Sequence, residues 1–258
     1  MAINKEIIEY WEQSTPMSFV PEKLGYEEKR NFRYSLQDYM HDAFGFADFS
    51  GKLVLEVGSG AGIDSAEFAR NGAKVISTDL TRVATELTQD LLKENGLPPV
   101  VIQADAIALP FKDETFDCVY CFGVLHHIPD AETALAEIHR VLKPNGRVMA
   151  MLYHRDSLLY VYSIAYLHGR KRERERFLPF GSLHDSELLS KYSERNEGCP
   201  YTRAYTKDEA RSLFSPWFKQ ITTGVHYNVL DLPEQRKVKV DIPDTYELGW
   251  HLIVKAVK

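Results

Sequence analysis

Residues 52–64, KLVLEVGSGAGID, decide the fold. The run from Leu53 to Val57 is apolar, too short for a helix, and ends in three glycines at alternate positions, Gly58, Gly60 and Gly62. Behind them IDSAEFARNG carries helical spacing and stops at a glycine. That order is strand, tight turn, helix. Outward from it the pattern repeats, with AKVISTD as a strand, TRVATELTQDLLKENG as a helix, PVVIQAD and TFDCVYCFG as strands, AETALAEIHRVLKPNG as a helix and GRVMAMLY as a strand. Strands alternating with helices imply βαβ units, hence an α/β fold with a parallel sheet covered on both faces.

The flanks read differently. Residues 1–50 are rich in aromatics spread between charges and read as short helices forming an amino-terminal lid on the main domain of residues 51–258. From 154 to 205 the alternation stops, and an aromatic helical stretch (SLLYVYSIAYLHG), a mixed charge run (RKRERERF) and a polar segment read as a cap inserted after the fifth strand. A last helix, TKDEARSLFSPW, has Thr206 as its N-cap and Glu209 as its capping-box partner. It leads to FKQITTGVHYNVLDL and LGWHLIVKAVK, which read as closing strands.

Composition excludes several classes. With 44% hydrophobic and 26% charged residues the chain is an ordinary folded protein, not a disordered tail. Three cysteines make no disulfide framework and suggest a reducing, cytoplasmic setting. The net charge of −6 offers no general attraction to nucleic acid or anionic lipid. No stretch approaches the roughly 18 apolar residues of a membrane span, and the opening residues do not resemble a signal peptide. Cys118 and Cys121 form C-x-x-C inside a predicted strand, where residues three apart point to opposite faces, so core packing is expected rather than redox chemistry. No group has zinc-ligand spacing, and no metal is expected. The charge run reads as a solvated helix face.

A glycine cluster between strand and helix lets a ligand approach backbone N–H groups closely. The spacing here is G-x-G-x-G. Ile63 stands where the third glycine of a dinucleotide fingerprint would fall, which argues against a nicotinamide-dependent oxidoreductase. Asp79 ends the next strand, where a carboxylate can accept from both hydroxyls of a ribose, and Asp105 ends the third. Three features at three successive strand ends line one edge of the sheet, the edge where open α/β sheets bind ligands.

These motifs, LEVGSGAG, STD, ADAIALPFKDETFDCVYCFGVLHHIPD and LAEIHRVLKPNGRVMAMLY, lie in order across residues 52–153, and the chain resembles the class I S-adenosylmethionine-dependent methyltransferases of the ubiquinone/menaquinone-methyltransferase-like group (methyltransferase type 11). The resemblance implies a Rossmann-like seven-stranded sheet in the order 3-2-1-4-5-7-6 with strand 7 antiparallel. It implies S-adenosyl-L-methionine as cofactor and S-adenosyl-L-homocysteine as product. Glu56, Gly58 and Gly60 would meet the amino-acid portion, Asp79 the ribose and Leu80 the adenine. Asp105 and the Ala106 N–H would meet the adenine edge, and Phe122 and Gly123 the methionine moiety. It carries no acceptor with it.

Methyl transfer from a sulfonium is an in-line displacement that rests on positioning, and a base is needed only if the acceptor arrives protonated. His126 and His127, just past the fourth strand, are the first candidates and His154, just past the fifth, the next. Arg155, Tyr160, Tyr201 and Tyr205 in the insertion, with Tyr10 and Trp11 in the lid, are candidates for the acceptor pocket. The expected function is methyl transfer to a small molecule. A methyltransferase acting on RNA or protein and a non-catalytic S-adenosylmethionine-binding protein are the rivals.

Overall fold

A computed structural model describes residues 2–14, 24–170, 189–190, 198–232 and 235–258. Its main sheet takes β1 (Leu53–Val57), β2 (Lys74–Asp79), β3 (Val101–Gln103), β4 (Phe116–Phe122), β5 (Leu142–His154), β6 (Ala204–Tyr205), β7 (Lys219–His226) and β10 (His251–Val257). The order is β3-β2-β1-β4-β5-β10-β7, with β10 antiparallel to both its neighbours, so β10 and β7 take the places of the expected strands 7 and 6. One strand exceeds expectation. The two-residue β6 pairs in parallel with the end of β5, Tyr153 opposite Ala204 and His154 opposite Tyr205, which makes the sheet eight-stranded.

Helices α4 (Ile63–Arg70), α5 (Arg82–Glu94), α6 (Ala131–Val141) and α7 (Lys207–Phe214) follow the glycine loop, β2, β4 and β6 in turn. α6 ends five residues before the expected stop. Leu142 already pairs with Phe116, and Lys143 precedes Pro144, where helical backbone is disfavoured. α7 has the expected capping box, Thr206 accepting from the Glu209 N–H and Glu209 from the Thr206 N–H. The segment 218–232 does not run as one strand. Tyr227 is left-handed (φ 69°), and the Asn228 amide donates to the Ile242 carbonyl at 2.8 Å, so the chain breaks from β7 into β8 (Val229–Leu232), which pairs with β9 (Gln235–Lys239) in a separate hairpin.

The two faces of the sheet carry separate cores. On β4, Cys118 and Tyr120 pack in one cluster and Val119 and Cys121 in the other, so the two thiols face opposite ways. Burial raises both, Cys121 to about 12, which leaves them protonated and inert.

The amino-terminal helices α1 (Ala2–Gln13), α2 (Tyr26–Leu36) and α3 (Met40–Phe44) are short, as expected. Phe44 and Phe68 meet Tyr120 edge to face, with ring centroids 5.0 and 5.2 Å away. Beside these rings Asp64, at the start of α4, accepts a bidentate fork from Arg33 and the hydroxyls of Tyr34 (2.9 Å) and Tyr120 (2.8 Å). A buried carboxylate survives there because its lone pairs are met by a cation and two hydroxyls. After β5 the aromatic stretch forms a π-helix, Leu159–Arg170, rather than an α-helix. Tyr162 and Tyr166 stack on its exposed side. Apart from Arg170, the charge run lies outside the described residues.

Candidate functional site

The carboxyl ends of β1, β2 and β4 open at one edge of the sheet, and the glycine loop lies across them. Gly58, Gly60 and Gly62 all have left-handed backbones, with φ of 78°, 54° and 77°. Two of the glycines are required by packing as well as by backbone. A Cβ on Gly58 would stand 2.1 Å from Val124 Cγ2, and one on Gly62 would stand 2.9 Å from Thr88 Cα of α5. The glycines therefore let the loop press against the end of β4 and against α5.

Asp79 is braced in this loop. Its Oδ2 accepts from the Gly60 N–H at 3.0 Å, and its Oδ1 accepts from the Thr81 N–H at 3.0 Å and the Thr81 hydroxyl at 2.9 Å. Burial raises its pKa, and these donors work against that shift. Glu56 takes a different position. Its side chain lies beneath α4, where the Ser65 hydroxyl donates to it, and burial followed by the nearby Asp64 charge pushes it well above the usual carboxylate range. The Leu80 carbonyl accepts from Gln103 at 2.9 Å, Asp105 accepts from the Ile107 N–H at 3.2 Å, and the Ala106 side chain is buried in the core. Gly123, left-handed at φ 79°, ends β4 beside Phe122, and the Arg33 guanidinium lies 4.8 Å above the Phe122 ring.

The three candidate histidines are all buried and differ in their partners. His154 Nδ1 meets the Gly249 carbonyl at 3.1 Å. His127 Nδ1 lies 3.2 Å from the Tyr201 carbonyl and 3.0 Å from the Thr202 hydroxyl, with Cys199 Sγ at 3.7 Å. His126 makes no hydrogen bond through either ring nitrogen among the described residues, and its ring centroid is 3.8 Å from that of Tyr153. Burial lowers all three, His127 to about 4 and His126 well below its ordinary value. All three are therefore neutral near pH 7.

The structure gathers some of the expected pocket residues and separates others. Trp11 meets His127 edge to face at 4.8 Å, Tyr10 lies beside Trp11, and Tyr201 reaches the same place through its carbonyl. Tyr160 and Tyr205 are buried in the cores of opposite faces, and Arg155 pairs with Glu209 at 2.7 Å. The sequence reading missed Tyr39, Trp250 and His251. The Tyr39 hydroxyl is 2.5 Å from His251 Nδ1, the His251 ring meets Phe122 edge to face at 5.5 Å, and Trp250 stacks on Tyr153 at 4.2 Å. A signal for the last two was available, because an antiparallel closing strand that begins at LGWH brings its first residues to the ligand edge. Tyr39 carries no such local signal.

Comparison with known proteins identifies the family that the glycine-loop region resembles. Residues 55–150 match the family model of the methyltransferase domain. The demethylmenaquinone methyltransferase of Thermobifida fusca is 38% identical over 105 residues, 39% of this chain and 43% of that protein. The ubiquinone biosynthesis O-methyltransferase of Pseudomonas syringae pv. tomato is 33% identical over 119 residues, 46% of this chain and 51% of that one. The chain thus spans about half the length of the curated relatives it matches. Among solved structures, the PH0226 protein of Pyrococcus horikoshii shares the fold with a TM-score of 0.61 at 17% identity, over 96% of this chain and 98% of that one. Residues 55–150 thus match a methyltransferase domain, carried between an amino-terminal helical region and a carboxyl-terminal segment.

Proposed function

We propose that the protein transfers a methyl group from S-adenosylmethionine to a small-molecule acceptor. The observation that carries this reading is the Asp79 carboxylate, held at the second strand end by Gly60 and Thr81 beside the glycine loop. The bound cofactor would supply an electrophilic methyl on sulfur. Asp79 accepts from the ribose hydroxyls, because Oδ2 keeps a lone pair beyond the Gly60 bond. Gly58 and Gly60 receive the amino-acid portion. Leu80, Asp105 and the Ala106 N–H border the adenine, and Phe122 and Gly123 the methionine end. Glu56 acts from beneath α4, as a brace for the loop through Ser65.

On the acceptor side, residues 198–205 and the lid residues Tyr10 and Trp11 meet the end of β4 at His127. His127 and His154 have Nδ1 engaged with backbone, so they position their loops. His126 keeps both nitrogens without a hydrogen bond among the described residues; neutral near pH 7, it has a lone pair open to a proton from the nucleophile, and burial makes it a weaker base than an exposed imidazole. The curated relatives include both a C- and an O-methyltransferase of quinone biosynthesis, so the likeness does not select the atom methylated. The test is calorimetry with S-adenosylhomocysteine and NAD, followed by an S-adenosylhomocysteine-release assay over phenols, amines, thiols and carboxylates. Binding of NAD with none of S-adenosylhomocysteine would overturn the reading, and binding without turnover on any acceptor would favour a non-catalytic protein.

A further inference from the structure

Glu12 stands in the last turn of α1, where the dipole of its own helix disfavours a carboxylate. Its oxygens find partners elsewhere. They accept from the N–H groups of Arg82 at 2.8 Å and Val83 at 3.3 Å, which open α5. The third open N–H of that turn, on Ala84, is met by the Thr81 side chain at 3.3 Å. A helix start is deficient in acceptors and carries partial positive charge, so an anion there satisfies both needs. Here the anion arrives from 70 residues upstream.

Thr81 is also the residue whose N–H and hydroxyl hold Asp79 Oδ1. Glu12 and Asp79 are thus both hydrogen-bonded to the short backbone stretch 81–84, which joins the amino-terminal helix to the ligand edge of the sheet. The neighbouring residue Trp11 packs on His127, so the same turn of α1 touches the cofactor side and the acceptor side. Glu12 lies outside residues 55–150, which places this link beyond the part of the chain matched to the methyltransferase domain.

We propose that Glu12 is a positioning residue for the cofactor site. Its carboxylate seats α1 on the start of α5 and so fixes the Thr81–Asp79 turn, coupling closure of the amino-terminal helix to binding of an S-adenosyl ligand. This rests on the methyltransferase reading of the cleft. Coupling of this kind is reciprocal: if seated α1 tightens the ligand, the ligand must seat α1.

The experiment is calorimetric titration of S-adenosylhomocysteine into the wild-type chain and into Glu12→Gln, Glu12→Ala and Glu12→Lys, with hydrogen exchange of residues 2–14 measured with and without the ligand. Affinity should fall in that order, by about five-fold for Glu12→Ala, the size of a lost helix cap. It should fall further for Glu12→Lys, which sets a cation on a positive helix end. The ligand should slow exchange in residues 2–14 of the wild type and not of Glu12→Lys. Glu12→Gln keeps an acceptor oxygen and the shape of the side chain, and so guards against a variant that fails to fold. If the wild type binds and all four affinities agree, or if melting temperature alone changes, the positioning role is overturned. If the wild type itself does not bind, the reading of the cleft falls and the role of Glu12 falls with it.

Discussion

Lowering the pH from 7 to 5 should weaken the fold through His127, and replacing His127 by Asn should remove that part of the loss. The ring is 6% exposed, and burial pulls its pKa down to about 4, whereas in the unfolded chain it titrates near 6.5. Between those values only the unfolded chain binds the proton. The contribution is therefore complete above pH 6.5 and is lost as the pH falls toward 4, at about 1.4 kcal/mol per pH unit. From the unfolded value down to pH 5 the loss from this one residue is about 2 kcal/mol. Burial also lowers His126 and His154, so the wild-type chain loses more than this; the His154 contribution cancels when wild type and variant are compared, while that of His126 changes in part because the His127 charge acts on it. Asn keeps a donor where Nδ1 meets the Tyr201 carbonyl, and its cost at pH 7 is that of an imperfect hydrogen bond, about 1 kcal/mol. Urea unfolding of both proteins at pH 7 and pH 5 gives the comparison. A pH-dependent loss as large in His127→Asn as in the wild type would refute the argument and place His127 in contact with water.

Three further outcomes follow from the site. Asp79→Ala should weaken S-adenosylhomocysteine by roughly ten- to a hundred-fold, the size of a lost charge-assisted acceptor, as read by calorimetry on protein whose melting curve confirms that it is folded. Normal binding by that folded fraction would make Asp79 a brace for Gly60 and Thr81 alone. Gly58→Ala should lower the melting temperature, because the new Cβ meets Val124 Cγ2 at 2.1 Å in a left-handed backbone, and adding Val124→Ala should recover part of the loss. Asp64→Asn leaves the Arg33 guanidinium buried without its counter-charge and should cost about 3–5 kcal/mol in urea unfolding, with Arg33→Met in the same chain recovering some of it.

What could be read from the sequence is what local physics dictates. KLVLEVGSGAGID announces strand, turn and helix because apolar run, glycine spacing and helical periodicity are all properties of neighbouring residues. Alternation along TFDCVYCFG likewise told that Cys118 and Cys121 face different cores, and the spacing of Thr206 and Glu209 told where α7 begins. The strand β6 is too short to carry a pattern, and it exists because Tyr153 and His154 offer it an edge. The break at Tyr227 came from an Asn228 side chain that bonds a carbonyl fourteen residues away. Nothing local marks Asp64, and only the folded chain brings Arg33, Tyr34 and Tyr120 to it.

The same distinction separates the two halves of the candidate site. The cofactor side is built almost wholly from residues within 55–150, at strand ends whose geometry follows from the βαβ repeat. The acceptor side is assembled by contacts between stretches far apart in the chain: Trp11 on His127, the Tyr39 hydroxyl on His251, and Trp250 on Tyr153. Its segment 198–205 is fastened by the Arg203 N–H to the His126 carbonyl at 2.9 Å, by the Tyr201 carbonyl and Thr202 hydroxyl at His127, and by pairing with the end of β5. A stretch fastened in this way moves only if β5 or the loop after β4 moves with it. Substitutions that change the acceptor should accordingly fall on side chains presented by these three stretches, with the backbone that carries them left in place. A chimera that exchanges 198–205 alone should keep its acceptor unless the α1 residues Tyr10 and Trp11, which meet the same place at His127, are exchanged as well.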